Sequence, residues 1–378
     1  MKICFICPEY PEGPHGGIGT MVQIISRELV KSGHEVRVVG IYPQSYPAPD
    51  YEEDHKVKVW RLRVKENKFG WVLPYMKQYK LIKKWVEANE IDVIEAPDSR
   101  GWLVFWPKLK IPVIIRAHGS NTFIAKVLGK KPNHLTSFME QLSYRRADAL
   151  LSVSKFSAKT TSQAFSLKKK FTVIYNGLEI PFFADIVERQ KNRIIFSGSL
   201  TRNKGVFCLI HAFCNLLDRS PETTLEIYGK DSIDIEVGPV MQHLLKIIPE
   251  DKIDRIKFMG HVSRLELFQV YRTATMAVFP SFVESFSMAP MESMACGCPT
   301  IYSELGSGPE IIDNEVDGIL VNPRNTSEIA NAMYKLLTNH SLAENISKNG
   351  IKKISNQFSQ KLMMDKTIAF YEGVQNFV

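Results

Sequence analysis

Short apolar runs alternate with longer stretches in which apolar residues recur every three or four positions, and the alternation continues from one end of the chain to the other. The short runs predict strands. In the first half they fall at Lys2 to Cys7, Val36 to Ile41, Asp92 to Glu95, Val113 to Ala117, Ala149 to Val153 and Thr172 to Tyr175. In the second half they fall at Arg193 to Ser197, Leu225 to Tyr228, Ile256 to Met259, Met276 to Phe279, Thr300 to Tyr302 and Gly318 to Val321. Strands separated by helix-length stretches imply parallel sheets covered on both faces, so the expected class is α/β with two Rossmann-like units. The seam is placed at Ile180 to Lys191, which follows Tyr175-Asn176-Gly177 and carries Pro181 and several charges. The expected domains are 1–185 and 186–358. No short-period repeat, low-complexity segment or Pro-rich linker suggests a solenoid or a disordered adaptor.

The pattern also marks where chemistry belongs. Met276 to Ser281 reads as a buried strand and its end, and Met288 to Cys296 as a helix stopped by Gly297. Between and within them stand Glu284 and Glu292, in Glu284-Ser285-Phe286-Ser287-Met288-Ala289-Pro290-Met291-Glu292. The first amides of a helix have no internal partner and favour an anion such as phosphate. Carboxylates before and inside the turn can accept from hydroxyls at either end of a bound diphosphate. A nucleotide sugar has that layout. Glu at a helix start also serves capping and the dipole, so the pair alone does not settle the matter. A second strand, loop and helix start the chain: Lys2 to Cys7, then Gly16-Gly17-Ile18-Gly19-Thr20, then a helix running to Ser32-Gly33-His34. Glycines there permit close approach of a phosphate, or serve a tight turn that needs positive φ.

With Pro280-Ser281 before the loop and Ala295-Cys296-Gly297-Cys298-Pro299 after the helix, the segment resembles the retaining glycosyltransferases of family four. Their hallmark is Glu, seven residues, Glu. Nearly the whole chain takes part in the resemblance. Ile115-Arg116-Ala117-His118-Gly119 resembles the family's strand-end histidine, and Phe196 to Gly205 its diphosphate loop. In that loop Lys204 fits the family's lysine, but Ser199 stands where an arginine is usual, and Arg202 is a replacement charge from the same loop or a solvated arginine. The resemblance implies the GT-B fold, two Rossmann-like domains facing each other across a deep cleft, with the last helix, about Ser359 to Val378, crossing back onto the first. It implies that Glu292 holds ribose hydroxyls, Glu284 sugar hydroxyls, and that the amides of Phe286, Ser287 and Met288 meet phosphate or sugar oxygens. Lys204 stabilises the departing diphosphate, and Gly16, Gly17 and His118 close the site. No DxD at a strand end and no His/Asp ligand set is present, so no metal or other cofactor is expected.

Charge changes the picture in one half only. Residues 1–190 hold 29 Lys+Arg against 19 Asp+Glu, whereas residues 191–378 hold 19 against 21. Lys77, Lys80, Lys83 and Lys84 sit in a helical stretch striped by Tyr75, Tyr79, Ile82 and Val86, and Lys168 to Lys170 add a basic run. These form a solvated helix face, or contact an anionic membrane surface or a polyanionic lipid-linked acceptor. Nucleic acid fits less well, since no reading module is present. With 44% hydrophobic residues, no span long enough for a bilayer and no signal peptide pattern, the expected place is the cytoplasm or the cytoplasmic face of the inner membrane. Cys4 with Cys7, and Cys296 with Cys298, read as buried thiols rather than a redox or zinc pair.

The expected activity is transfer of a hexose-type residue from a UDP- or GDP-sugar to a saccharide or lipid-linked saccharide acceptor, in bacterial surface polysaccharide or glycolipid synthesis. A nucleotide-sugar epimerase, a sugar phosphorylase, or a non-catalytic sugar-nucleotide-binding partner remain open alternatives on the same architecture.

Overall fold

The computed structural model describes residues 1–64, 72–179 and 187–375. The chain divides into two compact units: Met1–Asn176 together with the segment from Lys361 onward, and Gly177–Gln360. The expected boundary at 185/186 and the first part of the seam, 180–186, lie outside the described residues.

Unit 1 contains, in chain order, β1 (Lys2–Ile6), α1 (Gly17–Lys31), β2 (Glu35–Pro43), β3 (Tyr51–Asp54), β4 (Val57–Val64), α2 (Val72–Glu87), β5 (Val93–Pro97), β6 (Val113–Ala117), α3 (Asn121–Val127), α4 (His134–Arg146), β7 (Ala149–Ser152), α5 (Lys155–Phe165) and β8 (Phe171–Val173). The eight strands run in the order β3-β4-β2-β1-β5-β6-β7-β8. All pairs are parallel except β3 with β4. Ser120, Asn133 and Ser154 cap α3, α4 and α5, each accepting from an amide three residues on. Replacing such a cap by Ala costs about 1 kcal/mol.

The β3–β4 hairpin is absent from the expected strands, and the reason is physical. In β4 the inward positions are Val57, Val59 and then Arg61, which is fully buried. A charged residue at a core position breaks the period of two. Arg61 is stabilised there because it donates to the carbonyls of Pro49 and Pro11 at 3.0 and 2.9 Å and to the Glu52 carboxylate. The other expected strands appear with ends shifted by a residue or two.

Unit 2 contains β9 (Arg193–Ser197), α6 (Val206–Leu217), β10 (Thr224–Tyr228), a small antiparallel pair of β11 (Ile233–Asp234) and β12 (Gly238–Pro239), α7 (Val240–Ile247), β13 (Ile256–Gly260), α8 (Arg264–Thr273), β14 (Met276–Phe279), α9 (Met288–Ala295), β15 (Thr300–Ser303), α10 (Gly308–Ile311), β16 (Ile319–Val321), α11 (Thr326–Thr338) and α12 (His340–Gln357). Its six-stranded sheet is wholly parallel, in the order β13-β10-β9-β14-β15-β16. Leu209, Ile210, Phe213 and Leu216 make α6 apolar enough to be buried between this sheet and α11. Each sheet therefore reverses its winding once, at β1/β5 in unit 1 and at β9/β14 in unit 2. At such a reversal the following loops leave in opposite directions and open a crevice at the carboxyl ends of the strands.

The last helix, α13 (Gln360–Gln375), packs into unit 1 through a buried charge cluster. Arg116 in β6 donates to both oxygens of Glu95 in β5, at 2.8 and 3.0 Å, and the Tyr371 hydroxyl donates to Glu95 at 2.6 Å. Removing one member of a buried pair leaves the other charge unpaired. Arg116→Met should therefore destabilise unit 1 by about 3–5 kcal/mol in urea unfolding, and a loss below about 1 kcal/mol would show that the pair does not hold the helix.

Candidate active site

In unit 2 the expected site residues gather at the β9/β14 reversal. β9 ends at Ser197 and is followed by Gly198, whose φ of 149° suits glycine. The chain then makes a single 3-10 turn over Arg202–Lys204, with the Thr201 hydroxyl accepting from the Lys204 amide at 3.3 Å. Gly205 ends the turn at φ 73°, and a Cβ added there would lie 1.8 Å from the Pro280 carbonyl oxygen. The loop after β9 is thus pressed against the loop after β14, and the Phe282 amide donates to the Asn203 carbonyl at 2.7 Å. This contact brings two residues eighty positions apart together: the Lys204 ammonium donates to the Glu284 carboxylate.

Phe286, buried against Phe358 with ring centres 5.6 Å apart, anchors the start of α9. Ser287 is the N-cap but places no side-chain oxygen on the first turn. Pro290 contributes no amide. The first turn of α9 is thereby left without a side-chain cap, as a phosphate site requires. Glu292 sits one turn into the helix and is buried, and Arg264 at the start of α8 donates to it at 2.7 Å. Burial pushes the Glu292 carboxyl above its ordinary range, and the Arg264 charge opposes that rise. Arg264 is absent from the sequence expectations, because no local spacing links it to Glu292.

Two expectations from the same loop fare differently. Ser199 is exposed at the loop tip. Arg202, half-exposed, has partners of its own: it donates to Asp234 at 3.0 Å, pairs with Glu236 at 3.2 Å and lies over the Phe207 ring. Asp234 is carried by the small β11–β12 hairpin.

In unit 1 the remaining candidates stand at the carboxyl ends of β1, β5 and β6. Gly16 has φ −111°, and a Cβ on Gly17 would meet nothing within 4 Å, so neither glycine serves a positive-φ turn. Gly19 is the position that excludes a side chain, since a Cβ there would lie 1.9 Å from the Glu9 carbonyl oxygen. The Glu9 carboxylate itself accepts from the Gly19 amide at 2.9 Å and occupies the N-terminus of α1. His118 follows β6. Its amide and that of Gly119 both donate to Asp98, each at 3.1 Å, and the Tyr144 hydroxyl donates to the same carboxylate at 3.1 Å. Asp98 thus fixes the turn that presents His118, another role that sequence spacing does not disclose. Burial, with the nearby Arg116 charge, pushes the His118 imidazole down to about 3, and burial raises Asp98 to about 6 despite its donors.

Lys77, Lys80, Lys83 and Lys84 are all exposed on α2. Lys169 departs from its neighbours, because its ammonium donates to the Ala147 carbonyl at the end of α4. Burial pushes the thiols of Cys4, Cys7 and Cys296 up to about 12 and that of Cys298 to about 11, which makes them inert at neutral pH. Among the described residues no cluster of His, Cys, Asp and Glu is placed to hold a metal ion, and no helix is long and apolar enough to cross a membrane.

Two largely parallel sheets that each reverse their winding once define the fold class, and solved structures share it. Sucrose-phosphate synthase from Thermosynechococcus elongatus superposes with a TM-score of 0.83 at 18% identity, covering 100% of this chain and 99% of that one. Anabaena HepE in complex with UDP-glucose gives 0.75 at 18% identity, covering 99% and 100%. The fold is that of the GT-B glycosyltransferases. Residues 15–180 match the family model described as Glycosyltransferase Family 4, and residues 181–353 match Glycosyl transferases group 1. The chain is similar to an uncharacterized glycosyltransferase of Methanocaldococcus jannaschii, 27% identical over 98% of both chains, and to glycogen synthase of Mycobacterium tuberculosis, 24% identical over 98% of this chain and 94% of that one. It belongs to the family 4 glycosyltransferases.

The histidine gives a test of the unit 1 geometry. A folded imidazole that protonates only near 3 stays neutral at pH 5, whereas an ordinary one titrates near about 6.5. As the pH falls below about 6.5 the unfolded chain takes up the proton first, so this group's contribution to stability is full above that value and is lost towards 3. Asp98 acts in the opposite sense, its contribution being full below about 3.9 and lost as the pH rises through 6. The His118 ring resonances should not move between pH 8 and about 5, and a midpoint near about 6.5 would contradict the depressed titration.

Proposed function

We propose that this glycosyltransferase moves a hexose-type residue, with retention of its anomeric configuration, from a UDP- or GDP-sugar to a hydroxyl of a saccharide or lipid-linked saccharide. The supporting observation is the pairing of Lys204 with Glu284 and of Arg264 with Glu292 around the open amides of α9 at the β9/β14 reversal. In this reading Glu292 accepts from the ribose hydroxyls, and Arg264 keeps it ionised so that it can. The amides of Phe286, Ser287 and Met288 meet diphosphate or sugar oxygens. Glu284 accepts from sugar hydroxyls. An ammonium has three donors, so Lys204 can keep its bond to Glu284 while donating to the leaving phosphate. As the glycosidic C–O bond breaks, its electron pair goes to the diphosphate, whose charge Lys204 and the helix amides stabilise. The acceptor oxygen forms the new bond on the same face, and its proton passes to the departing phosphate oxygen.

Unit 1 then receives the acceptor beside Gly16, Gly17 and His118. Neutral at working pH, His118 can donate or accept a hydrogen bond without adding charge. The Glu9 carboxylate beside Gly16 favours hydroxyls there over a phosphate. Positive side chains and helix amides suffice for the leaving group, and no metal is required. A UDP-glucose complex of HepE supports a nucleotide-sugar donor. Thermal stabilisation by a panel of UDP-, GDP- and ADP-sugars should single out the donor, because only a ligand of the native state raises its melting temperature. The anomeric configuration of the product tests retention.

A ribose contact persists from ground state to transition state. Glu292→Gln should therefore raise the donor KM with a smaller effect on kcat, and an unchanged KM with kcat abolished would contradict the role. Lys204→Ala should lower kcat by about a hundredfold, the usual loss for one preorganised stabiliser of developing charge. Turnover close to that of the wild type at saturating donor would remove Lys204 from the leaving-group step.

A further inference from the structure

Three segments of unit 1 lie side by side. Tyr75 of α2 stacks on Trp102 with ring centres 5.2 Å apart, and Tyr79 packs on Trp106 at 5.6 Å. The same 101–106 turn is held by α4, where the Ser143 hydroxyl accepts from the Leu103 amide at 2.9 Å and Arg146 donates to the Trp106 carbonyl at 2.7 Å. Both helices run antiparallel to the strands. α4 ends beside the start of β6, since the Asp148 amide donates to the Val113 carbonyl, and α2 ends ahead of β5, beside the start of β1, where Lys2 bonds to Asn89 and Asp92. Their first turns therefore share the carboxyl edge of the sheet, the edge that carries Asp98 and His118.

At that edge large apolar side chains point into solvent: Leu73 and Met76 on α2 are 60% and 52% exposed, and Leu135 and Phe138 on α4 are 68% and 56% exposed. Single exposed apolar residues are ordinary, but four on the leading turns of adjacent helices are not. The charge around them has one sign. Lys77 and Lys80 follow on α2, and Lys130 and Lys131 precede α4, all exposed. The one exposed acid on α2 is Glu87 in its last turn, at the far end, and the glutamate of α4, Glu140, is buried. A soluble acidic protein would match the cations but not a projecting apolar rim. A bilayer with anionic headgroups matches both, with the apolar tips at the acyl boundary and the lysines among the phosphates.

We propose that the first turns of α2 and α4 dock unit 1 on an anionic lipid membrane, Leu73, Met76, Leu135 and Phe138 entering the bilayer interface and the lysines holding the headgroups. The docking deepens the reading of the acceptor as lipid-linked, and rests on it for its purpose, because it sets the His118 edge at the surface where such an acceptor resides. Its test is independent of turnover. The full chain should sediment with vesicles of phosphatidylcholine containing about a third phosphatidylglycerol, much less with phosphatidylcholine alone, and less at raised salt, since exposed charges are screened over about 8 Å at physiological ionic strength. Leu73→Ser with Phe138→Ser should lower partitioning about tenfold even at low salt, and Lys77→Gln with Lys80→Gln should do so in a salt-dependent way. Equal recovery from both vesicle types, no recovery from either, or undiminished binding of the serine variant would overturn the proposal. Because a weakened variant can reflect misfolding, Phe138→Trp offers a second measurement: brominated lipid should quench its added fluorescence, and absence of quenching would overturn insertion. Donor stabilisation should be the same in all variants. Its absence in the wild-type protein would sink the transferase reading while leaving the vesicle result to stand on its own.

Discussion

Everything chemical in this molecule depends on a constraint of parallel sheets, that winding must reverse somewhere if both faces are to be covered. In unit 2 the reversal lies between β9 and β14, so the loop after each strand leaves towards a different face. The two loops start as neighbours because their strands are paired at Met276 with Ile194 and Ala277 with Ile195. Gly205 and Pro280 then press them together, and Lys204 and Glu284 meet although eighty residues separate them. In unit 1 the same reversal between β1 and β5 groups Gly16, Asp98 and His118 at one edge. Active-site assembly here is a consequence of strand order before it is a consequence of any side chain.

That assembly buries charge, which is costly unless each charge is paired. The pairs differ in what they do. Glu95 with Arg116 is fully buried and takes a further hydrogen bond from Tyr371, so it fixes α13 to unit 1. Glu284 with Lys204 and Glu292 with Arg264 are partly solvated, with side-chain exposures of 15% and 32%, and of 11% and 39%. A partly exposed pair keeps donors and acceptors available and holds its groups in place beforehand. Such pairs add little stability. Their value is orientation, because a carboxylate already fixed by a cation does not have to be ordered when hydroxyls arrive.

Much of this was legible in the sequence, for definable reasons. Strands buried on both faces, such as β6 and β14, announce themselves as unbroken apolar runs, and Glu284, Lys204 and His118 lie in the loops that follow such runs. β4 was missed because Arg61 occupies a core position and β3 because Tyr51–Asp54 is short, acidic and at an edge. Arg264 and Asp98 were missed because their partners are 28 and 20 residues away, a separation that has meaning only once the sheet order is known. The partners of Arg202 were not legible because the hairpin that engages it, β11–β12, has no hydrophobic pattern of its own.

The two helix N-termini flanked by functional loops show why sequence alone assigns phosphate poorly. Both α1 and α9 follow a parallel strand and a loop suited to close approach, and the first turn of each helix carries a partial positive charge. At α1 the protein supplies its own anion, since the Glu9 carboxylate already accepts from the Gly19 amide. A phosphate there would meet a negative charge at short range. At α9 the N-cap is a serine that leaves the first turn uncapped, and the nearby Glu284 is balanced by Lys204. The same backbone motif therefore carries opposite electrostatic preferences, decided by one glutamate in a loop. In the proposed reading this difference sorts the substrates, the charged donor to unit 2 and a neutral hydroxyl-rich acceptor to unit 1.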